Sequence, residues 1–345
     1  MKILIIKLAA AGDVLRTTSI LLPLKSAYPA ASISWVTSKT AKELLLNNPY
    51  LEKVYAIEDF KAQNSFNYDL IISLDEDEEA ARLASNAGRN IVGFYFENGK
   101  VLPIETARNW FNIGALGEKP RNDLLKKENK KTYQEHMLDV IGLSNKGLST
   151  VDYPLIYNLT EEEKMFTREF KKKNNISDFD VVIGFNTGAG ERWQYKKWPL
   201  EKTCELILKT AKLPKVKLLL FGGPEEKSRN EGIVRRMGNI IIDTGTNNTL
   251  RDFGALVNCC DILLTSDSLA MHIGVALKKY VIVFFGPTSY AEIELYGRGK
   301  KIIPEMDCLV CYKQRCDFNP NCMDSISVDT MYGALSEAIK SLGRS

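Results

Sequence analysis

Four short stretches of this sequence gather side chains that can do chemistry. In "LLTSDSLAMHIGVALKKYVIVFFGPTS" (residues 263–289), Asp267, Ser268 and His272 lie between two apolar runs. The first run ends at Thr265, so Asp267 falls at an N-cap position, ahead of a short helix over 268–276. The amides of Ser268, Leu269 and Ala270 would then point out of a helix N-terminus, which suits an anion such as a phosphate. Asp267 would contact a hydroxylated ligand there. His272, one of two histidines in the chain, reads as support for this site rather than as a catalyst.

The second stretch is "FNTGAGERWQYKKWP". A strand runs into Asn186, Thr187 and Gly188, and Lys196 follows before Trp198-Pro199. Hydroxyl, glycine and lysine at a strand end suit a phosphate, and Lys196 would neutralise charge on a departing pyrophosphate. The alternative is a solvated lysine pair, Lys196 with Lys197. In "LFGGPEEKSRN", Glu225 or Glu226 opens a helix after a Gly-Gly-Pro turn and could accept from ribose hydroxyls. Acids in a first turn also simply suit the helix dipole. In "KLAAAGDVLRTTS", the small residues Ala11 and Gly12 let a ligand approach the backbone. Asp13 then serves as a general base or as a cap of the helix it opens. The glycine pattern is not that of a nicotinamide-binding loop.

Four of the seven cysteines, Cys308, Cys311, Cys316 and Cys322, fall within fifteen residues. That density suits a tetrahedral structural zinc, or else four thiols that merely pack. An RNA-binding knuckle is a poorer fit, because the segment carries no histidine and ends an α/β half rather than a basic tail. The odd cysteine total argues against a disulfide framework.

The elements that must position these residues follow from the apolar pattern. Residues 2–8, 32–37, 70–74 and 91–94 read as strands of a first half, with helices over 12–28, 75–87 and 133–142. Residues 144–154 have the composition of a connection. Thr160 and Glu163 make a capping box for the next helix, which acids open and lysines close. Strands follow at 181–185, 216–221, 240–242, 262–265 and 281–285, with helices between them, including 199–211 and 225–237. Continuous apolar strands alternating with helices predict parallel sheets covered on both faces. The fold class is therefore α/β, with two doubly wound Rossmann-like domains and a cleft between them. All four stretches fall at carboxyl ends of strands, where such sheets bind ligands.

A length of 345 residues accommodates two domains, and a 45% apolar fraction provides their cores. Net charge is only +3, from 46 basic and 43 acidic residues, so nucleic acid is not an expected partner. No stretch approaches the roughly 20 apolar residues of a membrane span, and the N-terminus lacks a signal-peptide pattern. The expected location is cytoplasmic.

Together the loops resemble glycosyltransferase family 9, the heptosyltransferases of lipopolysaccharide core synthesis. The likeness rests on "KILIIKLAAAGDVLRTT", "KKWP", "DSLAMHIGVAL" with "FFGPTS", and "CLVCYKQRCDFNPNCM". It implies a GT-B fold, with an acceptor domain over 1–155, a nucleotide-sugar domain over 156–327 and a helix over 328–345 packing back on the first. It implies an inverting transfer of heptose from ADP-heptose to an inner-core acceptor, with no cofactor required. The alternatives are a related GT-B transferase using another nucleotide sugar, or a non-catalytic sugar-nucleotide-binding protein. Carried onto this chain, Asp13 becomes the base and Lys196 the diphosphate contact. Thr187, Gly188, Glu225, Asp267, Ser268, Leu269, Ala270 and His272 line the donor. Leu269 and Ala270 stand where the family usually has glycine and then proline or leucine. Ala11, Gly12 and Arg16 face the acceptor, for whose anionic groups Arg82, Arg89 and Arg108 are further candidates. A monomer is expected, peripheral on the cytoplasmic face of the inner membrane, where a lipid-linked acceptor would be met.

Overall fold

The apolar runs become the inner strands of two six-stranded sheets in the computed structural model. It describes residues 1–62, 67–144, 147–149 and 152–343, except the side chains of residues 191 and 192. The expected connection over 144–154 thus lies partly outside the described residues. The chain divides into two units: Met1–Asn158 with Ala291–Glu294, and Leu159–Tyr290 with Leu295–Ser345.

The first sheet contains β1 (Lys2–Ile6), β2 (Ser32–Thr37), β3 (Lys53–Ala56), β4 (Leu70–Ser73), β5 (Ile91–Glu97) and β6 (Lys100–Pro103), in the order β3-β2-β1-β4-β5-β6. Strand β1 shows why it is central. Ile3 and Ile5 enter one apolar cluster, while Leu4 and Ile6 enter another on the opposite face. Successive side chains of a strand alternate between faces, so an all-apolar strand must be covered on both. Fully burying each such side chain contributes roughly 1.5–3 kcal/mol. Two edge strands, β3 and β6, were not expected; each is four residues long and only partly buried. Strand β6 departs from the parallel scheme, pairing antiparallel with β5. Asn98 (φ 51°) and Gly99 (φ 79°) form the turn between them, the left-handed pair that a two-residue hairpin requires.

The expected helix over 12–28 is two helices, Ala11–Thr17 and Leu21–Ala27, joined by a 3₁₀ turn at Thr18–Ile20. Thr17 and Thr18 turn their hydroxyls onto the carbonyls of Asp13 and Leu15, both at 2.6 Å. Pro23 cannot donate to the carbonyl four residues back. The helix expected over 75–87 starts later, at Glu78, because the Asp77 carboxylate caps it through the Glu79 and Ala80 amides. That leaves Asp75 in a loop at the end of β4.

The second sheet contains β7 (Val181–Asn186), β8 (Val216–Phe221), β9 (Ile242–Asp243), β10 (Ile262–Ser266), β11 (Tyr280–Phe284) and β12 (Gly299–Ile302), in the order β12-β11-β10-β7-β8-β9. All its pairings are parallel. The Thr160–Glu163 box forms as expected: Thr160 Oγ1 accepts the Glu163 amide at 3.1 Å, and Glu163 accepts the Thr160 amide at 2.8 Å. In each sheet the first strand lies between strands reached in opposite directions. The crevice of such a sheet opens where the order reverses, here between β1 and β4 and between β7 and β10.

The last helix, Val328–Ser341, was expected to pack back on the N-terminal domain. Its apolar face, Met331, Ala334, Leu335 and Ala338, is instead buried in the core of the second unit, against the helix Leu200–Thr210. Lys209 of that helix pairs with Asp329 at 2.5 Å. Among the described residues no helix is long and apolar enough to cross a membrane.

Leu335 is fully buried, so Leu335→Ala is expected to destabilise the second unit by about 2–5 kcal/mol in denaturant unfolding. A loss below about 1 kcal/mol would mean that the helix is a peripheral tail.

Candidate functional site

Each unit carries its own cluster at its own switch point. In the first unit, Lys7 follows β1 and Asp75 follows β4. The Lys7 ammonium pairs with Asp75 Oδ1, and both side chains are more than nine-tenths buried. Asp75 Oδ2 accepts the amide of Leu8 and, at 3.4 Å, that of Ala9. One carboxylate therefore pins the small-residue loop that leads into the helix Ala11–Thr17. Burial works against the Lys7 ammonium, but Asp75, with Tyr133 and Asp13 behind it, outweighs this and holds its pKa above the ordinary lysine range.

Asp13 is the third residue of that helix, and one oxygen accepts the Ala10 amide at 3.3 Å. Its other oxygen lies 2.9 Å from Arg16 Nη2, and about a third of its side chain is exposed. The geometry thus gives Asp13 the capping contact and leaves an accessible carboxylate. Arg16 lies 3.7 Å over the Tyr133 ring and 3.4 Å from the Glu292 carboxylate. Tyr133 Oη meets Thr17 Oγ1 at 2.6 Å. The other arginines proposed for the acceptor are less built in: Arg82 pairs with Glu78 and Arg108 with Glu105 on exposed helix faces.

In the second unit the lysine doublet is not solvated. Lys196 lies 2.8 Å from Asp267 Oδ2 and 3.1 Å from its carbonyl. Lys197 lies 3.0 Å from the buried Glu226. Thr288, in the loop after β11, donates to Asp267 at 2.7 Å. Burial alone would raise the Asp267 carboxyl, but Lys196, His272 and the Thr288 hydroxyl outweigh it and hold it well below the ordinary carboxylate range. Asp267 is thus a fixed anion across the physiological range. It is not the N-cap, contrary to expectation. Ser268 holds that position without a side-chain capping bond, and the Met271 amide returns to its carbonyl at 3.1 Å. Lys196 and Thr288 draw the Asp267 carboxylate away from the helix Leu269–Ala276.

Asn186 ties the loops together. Its amide donates to Thr265 Oγ1 at 3.0 Å, to the Gly188 carbonyl at 3.1 Å and to Ser268 Oγ at 3.4 Å. Thr187 is held inside the scaffold, donating to Asn230 Oδ1 at 2.6 Å. Gly188 leaves room for Glu226: a Cβ there would lie 2.7 Å from Glu226 Oε2 and force that carboxylate to move. Glu225 stays exposed, its carboxylate 3.4 Å from where a Cβ of Gly190 would stand. The acids thus divide the tasks, with Glu226 taken by Lys197 and Glu225 left above the loop. Sequence reasoning missed Lys7, Asp75, Tyr133, Asn186 and Glu292. Only Asn186, at the end of an apolar strand, carried a local signal.

The family model for glycosyltransferase family 9 (heptosyltransferase) matches residues 125–321. The chain belongs to that family. A lipopolysaccharide heptosyltransferase 1 from Campylobacter coli is 24% identical over 324 residues, covering 88% of this chain and 91% of its own. Among solved structures, a family 9 glycosyltransferase from Veillonella parvula superposes with a TM-score of 0.80 at 19% identity, covering 99% of this chain and 97% of that one. The ADP-heptose lipopolysaccharide heptosyltransferase II of E. coli gives 0.69 at 18% identity, covering 99% and 100%. The two Rossmann-like units are those of the GT-B fold, and this family 9 member is a glycosyltransferase.

Of the two readings of the cysteine-rich stretch, a structural zinc or four packed thiols, the structure does not support the zinc. Among the described residues no group of three or more His, Cys, Asp or Glu is arranged to hold a metal ion. Cys308, Cys311 and Cys316 are partly exposed free thiols. Cys322 is buried, with its sulfur 2.4 Å from where a Cβ of Gly286 would stand. Burial, then the neighbouring Cys316, Cys311 and Cys308, push its thiol up to about 11.

Iodoacetamide is therefore expected to alkylate Cys308, Cys311 and Cys316 in the native protein. Cys204, Cys259, Cys260 and Cys322, which are buried, should react only after unfolding. Protection of all seven in the native protein, read by peptide mass spectrometry, would contradict this placement.

Proposed function

We propose that this glycosyltransferase moves heptose from ADP-heptose to an inner-core lipopolysaccharide acceptor, with inversion at the anomeric carbon. The observation that carries the reading is the pairing of Lys196 with an obligately ionised Asp267 beside the N-terminus of the helix Leu269–Ala276. Asp267 holds the ammonium in place, so its charge is available to a leaving diphosphate without reorganisation. The helix N-terminus adds backbone donors for the same oxygens. Glu225, exposed beside this loop, would accept from ribose hydroxyls of the donor. The names of the Campylobacter and E. coli relatives support the donor and the lipopolysaccharide acceptor.

Asp13 takes the other half of the chemistry. The acceptor hydroxyl attacks the anomeric carbon from the face opposite the diphosphate and gives its proton to the Asp13 carboxylate. The new carbon–oxygen bond forms as the bond to the diphosphate breaks, and ADP departs with the electron pair. Ala11, Gly12 and Arg16 border the acceptor. A lipid-linked acceptor is met at the cytoplasmic face of the inner membrane, where the enzyme would act as a peripheral protein; we take it to be a monomer.

ADP is expected to stabilise the protein against heat more than UDP or GDP at equal concentration, by roughly 2.7 kcal/mol at 100 times its Kd. Lys196→Ala should remove most of that gain. A larger shift with UDP or GDP would assign another nucleotide sugar.

Asp13→Asn is expected to lower transfer to a deacylated lipid A-type acceptor by about 10²–10⁴-fold. Asparagine caps a helix as well as aspartate does, so melting temperature and ADP affinity should hold. Activity within a few-fold of wild type would reduce Asp13 to a cap.

A further inference from the structure

We infer that Glu292 is a positioning residue for the general base, acting through Arg16 to set both the place and the basicity of Asp13. The inference rests on the assignment of Asp13 as base. Glu292 comes from Ala291–Glu294, the four residues of the later half of the chain that belong to the first unit. Its carbonyl accepts the Tyr133 amide at 2.9 Å, so its backbone is fixed to the start of the helix Tyr133–Val140. Its carboxylate is less than a tenth exposed and meets Arg16 Nη1 at 3.4 Å. Arg16 Nη2 meets Asp13 at 2.9 Å. The guanidinium therefore bridges two carboxylates, one buried and one accessible, with its carbon 3.7 Å from the centre of the Tyr133 ring.

The bridge resolves a conflict. A cation in contact with a base orients it but also stabilises its ionised form and weakens it as a proton acceptor. A second carboxylate on the same cation offsets part of that field while keeping the guanidinium in place, since the planar fork can hold two partners at once.

Other charged groups surround the same pair. Lys126, on the helix Arg121–Glu128, acts on Glu292. Lys7 is paired with Asp75 and also acts on Asp13. On the neighbouring helix Lys39–Lys42, Lys39 is exposed and Lys42 lies 3.9 Å from Asp59. Glu43 begins the turn that follows and is partly buried. On the helix Tyr133–Val140, Glu135 accepts from Thr132 and Asp139 pairs with Lys131. Burial lowers His136 to about 4, so it is neutral at physiological pH. Tyr133 is pushed up by burial and stays protonated.

The test compares the full-length protein with Glu292→Gln, Glu292→Asp and Asp13→Asn. Asp13 is titrated by carbon NMR of labelled aspartate, its resonance assigned by its loss in Asp13→Asn. In Glu292→Gln the Asp13 midpoint should fall by about 0.5–1 pH unit, because Arg16 then loses the Glu292 carboxylate that offsets its field. The acid limb of kcat against pH should move down with it, and kcat at neutral pH should drop about 3–10-fold. Glu292→Asp should return the midpoint most of the way, and ADP binding by calorimetry should hold throughout. An unchanged midpoint in Glu292→Gln, with transfer abolished in Asp13→Asn, would overturn the inference and keep the base. Transfer that survives in Asp13→Asn would overturn the base assignment instead. If Glu292→Gln does not fold, Arg16→Gln decides: the Asp13 midpoint must rise when the cation is lost, and a fixed midpoint overturns the relay.

Discussion

A carboxylate taken out of water must be neutralised where it lies, and both switch points are built on that constraint. Lys7 with Asp75 closes the crevice of the first sheet, and Lys196 with Asp267 that of the second. Each carboxylate also accepts further donors: the Leu8 and Ala9 amides on Asp75, and the Thr288 hydroxyl on Asp267. A buried pair of this kind adds little net stability, but removing one member strands a charge at about 3–5 kcal/mol. The pairs thus hold their loops in one arrangement. The small-residue loop before Asp13 depends on Asp75, and the placement of Lys196 depends on Asp267.

Adjacent charged residues have separate fates in this fold. Lys196 and Lys197 go to Asp267 and Glu226. Lys197 leaves the 3₁₀ turn in extended backbone (φ −88°, ψ 123°), which turns neighbouring side chains apart. Glu226 is buried and Glu225 exposed, because successive residues of the 3₁₀ turn Pro224–Glu226 lie on different faces. Asp75 holds Lys7, while its neighbour Glu76 accepts the Leu116 amide at 3.0 Å. In each doublet the two members take different partners. In the lysine and glutamate doublets, Lys196 and Glu225 face the chemistry proposed for the site.

The cysteine-rich stretch shows how far spacing can mislead. Four thiols within fifteen residues satisfy the count for a tetrahedral ion. Coordination also needs the donors arranged around one point, and among the described residues no group of three or more His, Cys, Asp or Glu is so arranged. Here Cys322 turns into the core against Gly286, while the other three stay partly exposed.

Much of the fold was legible because it depends on local pattern. The runs that became β1, β4, β7, β8, β10 and β11 are largely apolar on both faces. The Thr160–Glu163 box names a helix start by side-chain chemistry alone. The strand ends also showed which loops matter, because a doubly wound sheet binds at its carboxyl edge. Short edge strands such as β3 left no period to read. The Asn98-Gly99 turn carried a hairpin signal that was passed over. Tertiary structure alone decided the partners. Asp75 meets Lys7 across 68 positions and Glu292 meets Arg16 across 276, and no local rule connects residues so far apart. The last helix likewise found its core by shape, in the second unit rather than the first. Residue types at strand ends determined what chemistry was available here, and which charge neutralises which was settled only when the folded backbone brought distant carboxylates and cations out of water together.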